Sequence, residues 1–355
     1  MSSLSPVVAE SGAQDSFAVS VVIPAHNALP MLLGAIESTL MQSLRPQEVV
    51  VVDDRSTDGT AEVVANHFAA FPEVRILRGH FGSAAAARNA GWRETHHPWV
   101  AFLDADDLWF PQKLMRAAAA LRTFPVAGWF FSDGVFKPMG GEARSWLSSY
   151  ADLPKSYVGH PTAQLLEVNF ILTSSVVVRR GLLESLGGFD DSMSHAEDID
   201  LWIRLARCSP ATAVPEELVT YEHHPGGLTR QIERRLMGDV ELFRRLAQDA
   251  DLPGPLRRRA RRREALAQFK LASRALREGD RQGAWERLGK AWMFPERALP
   301  VTALAMANLL PRGVLRQLAS RGAGSHALTR RAFSLSRVEL RSDPALLASA
   351  REGTL

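Results

Sequence analysis

Four times between residues 19 and 122 the chain passes through a short, almost wholly apolar, β-branched run and then through a helical pattern, and this alternation constrains the fold more than any other feature. VSVVI (19–23) precedes LPMLLGAIESTLMQS (29–43), and EVVVVDD (48–54) precedes a helix opening near Asp58. VRIL (74–77) precedes SAAAARNAGWRE (83–94), and WVAFLD (99–104) precedes PQKLMRAAAALR (111–122). Strands that are apolar on both faces must be covered on both faces. The pattern therefore predicts an α/β fold, a mostly parallel central sheet flanked by helices and joined by right-handed crossovers. Each run ends in polar residues: His26 and Asn27, then Asp53 and Asp54, then Gly79 and His80, then Asp104, Asp106 and Asp107. In an open α/β sheet the ligand sits beyond the carboxyl ends of the strands, so these clusters should converge on one crevice.

Farther along, FILTSSVVV (170–178) reads as a strand, Gly188-Phe189-Asp190 closes a helix, another helix begins near Glu197, and ELVTYEHH (217–224) reads as a further strand. The charge then changes sign. Residues 1–250 hold 21 Lys and Arg against 30 Asp and Glu, a net of −9, whereas 251–355 hold 21 against 9, a net of +12. Helices with Arg-rich faces are expected over 229–249 and 256–295. In the second, Leu266, Phe269, Ser273 and Leu276 form an apolar stripe, Gly279-Asp280 makes a turn, and Ala284, Leu288 and Ala291 follow, with Pro295 as the stop. This spacing fits one tetratricopeptide-type hairpin or a plain helical hairpin. The expected organisation is a flexible leader over 1–17, an α/β unit over 18–230 and a basic, helical C-terminal region over 231–355.

Several classes are excluded. A composition of 46% hydrophobic and 23% charged residues is that of a globular chain, not a disordered one. The single cysteine, Cys208, rules out a disulfide scaffold and a cysteine zinc cluster, and fits a reducing compartment. The leader lacks the basic segment and apolar run of a secretory signal. The longest uncharged stretch, Ser16 to Ile36, carries Pro24, His26, Asn27 and Pro30 at its centre, and Ala298 to Pro311 is too short to span, so no transmembrane helix is expected. No G-x-G-x-x-G follows the first strand and no P-loop occurs, which argues against dinucleotide and P-loop chemistry.

Three acidic groups invite a chemical reading, each beside a plainer one. Asp104 and Asp106 flank Ala105 at a strand end. Carboxylates on alternate positions can share a hard divalent cation such as Mg²⁺ or Mn²⁺, which takes oxygen ligands and bridges phosphate oxygens. Alternatively they are the acidic start of a helix opening at Leu108-Trp109. Asp53 and Asp54 can accept hydrogen bonds from a base imide or a ribose hydroxyl, with Asp58 as a helix cap beside them. Glu197, Asp198 and Asp200 open an amphipathic helix; they either complement its dipole or supply an aspartate that takes a proton from an attacking hydroxyl. Trp202 on the same helix reads as core, with an apolar platform for a sugar ring as the alternative.

Taken together, VSVVIPAHNA, EVVVVDDRSTDGT, AAARNAGW, VAFLDADDLWFPQKL, GGFDDSMSHAEDIDLWIRLA and YEHHPGGLT resemble, in order and spacing, the family 2 glycosyltransferases of GT-A fold, over about 19–230. The resemblance implies a metal-dependent, inverting transfer from a nucleotide-diphosphate sugar. It implies that Pro24, Ala25, His26 and Asn27 lie along the nucleoside, that Asp54, with Asp53 as the alternative, reads the base, and that Arg88 stands near the nucleotide. Asp104 and Asp106 match the metal and ribose pair, Asp106 being the direct ligand, and Asp198 matches the catalytic base. His224, before Pro225-Gly226, matches a histidine that joins the metal. The chain departs from the family pattern at Glu222, where a basic residue is usual, at His223, which duplicates the histidine, and at Ala84 to Ala87, a featureless stretch before Arg88.

The resemblance implies a glycan or lipid-linked acceptor and synthesis of an envelope polysaccharide, glycolipid or related glycan. The protein is expected in the cytoplasm, with RRRARRRE (257–264) attaching it peripherally to an anionic membrane surface. A nucleic-acid-binding protein is the rival reading of that basic run, disfavoured because interleaved aromatics for base stacking are sparse. A non-catalytic sugar-nucleotide binder is the other rival; intact Asp104, Asp106 and Asp198 argue against it.

Overall fold

The computed structural model describes residues 17–138, 141–147, 150–152, 157–193, 195–222, 232–291 and 338–339. Its first half is built as the alternation dictates. Strands β1 (Val19–Ala25), β2 (Glu48–Asp54), β3 (Val74–Gly79) and β4 (Trp99–Phe102) are joined through α1 (Met31–Leu40), α2 (Thr60–His67) and α3 (Ala84–Arg93). They lie parallel in the order β3-β2-β1-β4. Ser83 caps α3, its hydroxyl accepting the Ala86 N–H at 3.1 Å. Helix α3 presses on the sheet at Gly91, where a Cβ would stand 2.4 Å from a methyl of Val22 and 2.8 Å from one of Val52.

Next come β5 (Leu108–Trp109), α4 (Lys113–Thr123), β6 (Trp129–Lys137), β7 (Arg144–Ser145), β8 (Ala151–Asp152), β9 (Tyr157–Gly159), α5 (Thr162–Leu165), β10 (Val177–Arg179) and α6 (Arg180–Leu186). The chain continues through α7 (Glu197–Cys208), β11 (Ala211–Glu222), α8 (Ile232–Gln248), α9 (Gly254–Glu278), α10 (Arg281–Ala291) and β12 (Val338–Glu339), which pairs with β8 apart from the main sheet. Beyond β4 the sheet becomes mixed: β10 runs antiparallel between β4 and β6, β11 pairs parallel with β6, and β5 closes the edge antiparallel to β11. Two antiparallel steps restore direction, so β6 and β11 point their carboxyl ends the same way as β1 to β4.

Alternate side chains of the strands feed two apolar layers. Val22, Val50, Val52 and Phe102 join Trp129, Phe131, Phe189 and Trp202 on one face. Val21, Ile23, Val49 and Val51 join Leu32, Ile36, Leu114 and Phe130 on the other. Trp202 is fully buried, its ring stacked on that of Trp129 with centroids 6.3 Å apart, so it is core.

Three segments differ from expectation. Leu108-Trp109 does not open a helix; it pairs with Thr220 and Val219 as β5, and α4 starts only at Lys113, past Pro111. FILTSSVVV is not one strand. Thr173–Ser175 form a 3-10 turn in which the Ser175 hydroxyl donates to the Leu172 carbonyl, and only Val177–Arg179 pair as β10. The last strand begins at Ala211 rather than Glu217 and is irregular between Val214 and Thr220, where Pro215 offers no N–H to the ladder.

Helices α8 and α9 share the first of these layers, since Leu242, Phe243, Leu246 and Ala260 belong to the apolar group that holds Trp202. Part of the basic run serves this docking: Arg259 pairs with Glu167 at 3.2 Å, and Arg263 pairs with Asp239 at 3.4 Å while covering the Phe243 ring. Arg258 and Arg261 are exposed. Helices α9 and α10 form a hairpin closed at Gly279, with Ala272, Leu288 and Ala291 packed between them. The leader over 1–16 and the expected stop at Pro295 lie outside the described residues. Among the described residues no helix is long and apolar enough to cross a membrane.

Candidate functional site

The candidate residues lie at the carboxyl ends of β1, β2 and β4, which parallel pairing sets along one edge of the sheet. Loops after β1 and β2 are knitted together by side chains. Asn27 accepts the Thr57 N–H at 2.7 Å and donates its own N–H to the Ser56 hydroxyl, while Asp58 accepts the Leu29 N–H. His26 Nδ1 sits 2.6 Å from the Asp54 carbonyl oxygen. Asn27 and Arg55 both take left-handed backbone, at φ 48° and 56°. Such residues persist only where the surroundings over-determine them, and the cross-loop bonds do so. Pro24 and Ala25 sit in β1 on register with Val52 and Asp53.

Asp53 and Asp54 differ sharply in environment. Asp53 is buried, caps the turn by accepting the Ser56 N–H at 3.0 Å and faces Arg78 at 3.7 Å. Asp54 uses both oxygens to hold the next loop, accepting N–H groups of Phe81 at 2.7 Å and Gly82 at 2.9 Å. Asp54 is the more open of the two.

Asp104 and Asp106 lie in the turn between β4 and β5, not at a helix end, so the dipole alternative has no helix to act through. That turn is pinned by Ser174: its hydroxyl accepts the Asp104 N–H at 3.0 Å and donates to buried Asp107, and its carbonyl accepts the Trp109 indole N–H at 2.7 Å. Asp104 Oδ1 receives Arg88 at 2.6 Å.

Arg88 is the joint of the site. Buried on α3, it reaches Asp104 with one nitrogen and Glu197 with another, at 3.3 Å. Burial opposes its charge, but the carboxylates of Asp104 and Glu197 outweigh burial and raise the guanidinium above its ordinary value. Glu197 and Asp198 begin α7 immediately after Ala196, which takes left-handed backbone at φ 69°. Asp198 accepts the Asn169 amide at 2.9 Å and its neighbour's N–H, from Ile199, at 2.7 Å. Burial first, then the Glu197 carboxylate, push Asp198 up to about 6 against the pull of Ile199, Asn169 and Arg88. Asp200 turns away and pairs with Arg204 at 2.7 Å. One carboxylate of the three is therefore raised well above its ordinary value, one is paired with Arg88, and one with Arg204 on its own helix.

Asp104 and Asp106 supply only oxygen donors, which suits a hard cation that completes its shell with water and phosphate oxygens. Among the described residues no three His, Cys, Asp or Glu side chains gather into a metal site. His223 and His224 lie outside the described residues.

Sequence reasoning missed Asn89, Asn169 and Ser174. Asn89 receives the Phe189 N–H and the Trp92 indole and donates to the Phe189 carbonyl, tying the Gly188-Phe189 loop to α3. A polar residue interrupting an apolar run was the available signal at Ser174. Lys113 was also missed: it is fully buried with its amine 4.1 Å from the Trp109 ring centre, and burial pushes it far below its ordinary value.

The family model described as Glycosyl transferase family 2 matches residues 20–183. The succinoglycan biosynthesis protein ExoO of Rhizobium meliloti is 30% identical over 250 residues, covering 65% of this chain and 69% of that one. An uncharacterized glycosyltransferase of Rickettsia felis is 26% identical over 200 residues, 56% of this chain; the chain spans only 32% of its length. Among solved structures, S. aureus TarS in complex with UDP-GlcNAc superposes with TM-score 0.57 at 19% identity, over 89% of this chain and 91% of that one. The mannosyltransferase PcManGT from Pyrobaculum calidifontis, in complex with GDP-Man and Mn²⁺, superposes with TM-score 0.60 at 20% identity, over 94% and 86%. At such identities the structural likeness shows the fold, which is that of the GT-A glycosyltransferases.

Proposed function

Because the chain belongs to glycosyl transferase family 2, we propose that it moves a sugar, with inversion, from a nucleotide-diphosphate sugar to an acceptor hydroxyl, using Asp198 as the base. The observation that carries this reading is the Asp104–Arg88–Glu197 bridge, which joins the end of β4 to the first turn of α7, where the raised Asp198 carboxyl stands. In this reading the β1 and β2 loops, Pro24 to Asn27 with Asp53 and Asp54, cradle the nucleoside. Asp104 and Asp106, with His224, would hold Mn²⁺ or Mg²⁺. Such a cation, when bound, offsets the charge that develops on the departing diphosphate. Asp198, ionised near neutral pH, takes the acceptor proton as the hydroxyl attacks the anomeric carbon and the bond to the diphosphate oxygen breaks. Attack from the face opposite the leaving group gives inversion.

The similarity to ExoO supports a place in envelope polysaccharide, glycolipid or related glycan synthesis, with a glycan or lipid-linked acceptor. Residues 18–230 would carry the chemistry and 231–355 a basic helical extension. Exposed arginines of α9 support peripheral attachment at the cytoplasmic face of a membrane. The test is a panel of nucleotide sugars incubated with Mn²⁺ or with chelator, scored for release of the nucleoside diphosphate. One donor should turn over only with metal; release from none, or release indifferent to metal, refutes the reading.

A further inference from the structure

Residues 169–175, between α5 and β10, touch both halves of the site, and the proposed reaction gives them no part. At the start of this segment the Asn169 amide nitrogen donates to Asp198 Oδ2 at 2.9 Å. The amide oxygen faces the Ile171 N–H at 3.4 Å, so the side chain is turned with its donor toward the carboxylate. Among the described residues, Asn169 alone reaches that carboxylate by a hydrogen bond from outside α7; the other bond comes from the Ile199 N–H on α7 itself. At the end of the segment Ser174, wholly buried, accepts the Asp104 N–H at 3.0 Å, donates to Asp107 and takes the Trp109 indole N–H on its carbonyl at 2.7 Å. One short stretch of chain therefore grips the proposed base at one end and the turn carrying Asp104 and Asp106 at the other.

The stretch between these grips is held in a single shape. Phe170, Ile171 and Leu172 are buried. The Phe170 carbonyl accepts the Trp146 indole N–H at 2.9 Å, and the Leu172 carbonyl accepts both the N–H and the hydroxyl of Ser175, at 2.9 and 2.7 Å. The Thr173 carbonyl accepts the Val176 N–H at 3.1 Å, and the Val176 carbonyl accepts the Phe102 N–H at 3.3 Å, which anchors the far end to β4. Apolar side chains in the core and carbonyls already bonded leave such a segment little freedom to bend. The Arg88 bridge joins the same two regions, but it ends on Glu197 and not on Asp198.

We infer that Asn169 and Ser174 are positioning residues and that segment 169–175 is the strut setting the proposed base against the turn proposed to hold the cation, an inference that rests on the transferase reading. Asn169 acts through Asp198. With Ile199 it places one donor on each carboxylate oxygen, which fixes the plane of the group and favours its ionised form. The other groups facing that carboxyl are Glu197, which opposes ionisation, and Arg88, which favours it. Ser174 acts through the backbone of Asp104, and so on donor binding rather than on proton transfer. The two ends of one strut therefore have separable signatures.

The experiment compares Asn169→Ala, Asn169→Asp and Ser174→Ala with the parent, all as full chains. Two quantities are read: the pH dependence of nucleoside diphosphate release from the donor the parent turns over, and calorimetric affinity for UDP, GDP, ADP, CDP and dTDP with and without Mn²⁺. In Asn169→Ala the acidic limb, at about 6 in the parent, should move up by about one pH unit, the worth of one hydrogen bond to a carboxylate. Its deficit in turnover should then shrink about fivefold between pH 6 and pH 8.5, with metal-dependent affinity kept within about twofold. Asn169→Asp keeps the shape but puts a second carboxyl where the donor stood, so its limb should move at least as far; a role in packing alone would tolerate it. Ser174→Ala should weaken metal-dependent nucleoside diphosphate binding by about tenfold and leave the limb in place, and Ser174→Thr, which keeps the hydroxyl, should recover affinity. An unmoved limb in both Asn169 variants, or parent-like affinity in Ser174→Ala, overturns the inference. So does loss of both quantities together in every variant, which is what general destabilisation produces. Failure of the transferase reading shows separately, as a parent with neither metal-dependent nucleoside diphosphate binding nor donor turnover.

Discussion

Replacing Asp198 by asparagine should move activity and stability in different directions. The carboxyl stands at about 6 in the folded protein against an ordinary 3.8. At about 1.36 kcal/mol per pH unit, that gap bounds the expense of keeping it ionised at ~3 kcal/mol. Asp198 retains some exposed surface, and solvent reduces this to ~1–2 kcal/mol. The asparagine oxygen can accept from Asn169 or from Ile199 but not from both, which removes one hydrogen bond worth ~1 kcal/mol. Because the folded value lies above the unfolded one, the penalty is absent below pH 3.8, grows between 3.8 and about 6, and is complete above that. The stability of the variant relative to the parent should therefore rise by ~1–2 kcal/mol from pH 4 to pH 8, roughly 1–3 °C in melting temperature for a chain of 355 residues. Turnover should fall by ~10²–10⁴, the contribution of a general base. In the parent, turnover should fall about tenfold per pH unit below about 6, where the carboxyl is protonated. The assay is nucleoside diphosphate release across pH 4.5–9, beside melting curves in the same buffers. Near-normal turnover in the variant, or a melting difference that ignores pH, would refute the role of Asp198.

Asp106→Ala should abolish metal-dependent binding of the cognate nucleoside diphosphate, read by calorimetry with and without Mn²⁺; unchanged affinity removes Asp106 from the site. Gly91→Ala places a methyl against Val22 and Val52 and should destabilise the fold by ~1–3 kcal/mol in urea denaturation, provided α3 cannot retreat; an unchanged midpoint would show that it can. Changing Arg258 and Arg261 to glutamine should weaken sedimentation with anionic liposomes at low salt, each arginine contributing ~1 kcal/mol at most. Binding insensitive to salt or to the variant argues against an electrostatic membrane contact.

The sequence alone determined the parallel half of the sheet, because continuous runs such as EVVVV can be buried only between two layers of helices. It also marked which strand ends carry acids, since Asp53 and Asp54 close β2 and Asp104 and Asp106 follow β4. It did not determine where those acids stand relative to one another. Arg88 and Glu197 are 109 residues apart in sequence, and only the packing of α3 against the start of α7 brings them to 3.3 Å. Local pattern misread Leu108-Trp109 and FILTSSVVV because the partners that decide them are distant. Trp109 pairs with Val219, and Ser174 holds Asp104 and Asp107 across some 70 residues of chain. The tuning of Asp198 is likewise tertiary. Its neighbours Glu197 and Asp200 have the same chemistry and nearly the same local context, yet one meets Arg88 and the other Arg204, leaving Asp198 half-enclosed beside Asn169 with no cation of its own. Composition and periodicity report what each residue prefers by itself, whereas a carboxyl's pKa is set by whichever charges and dipoles the fold brings within a few ångströms.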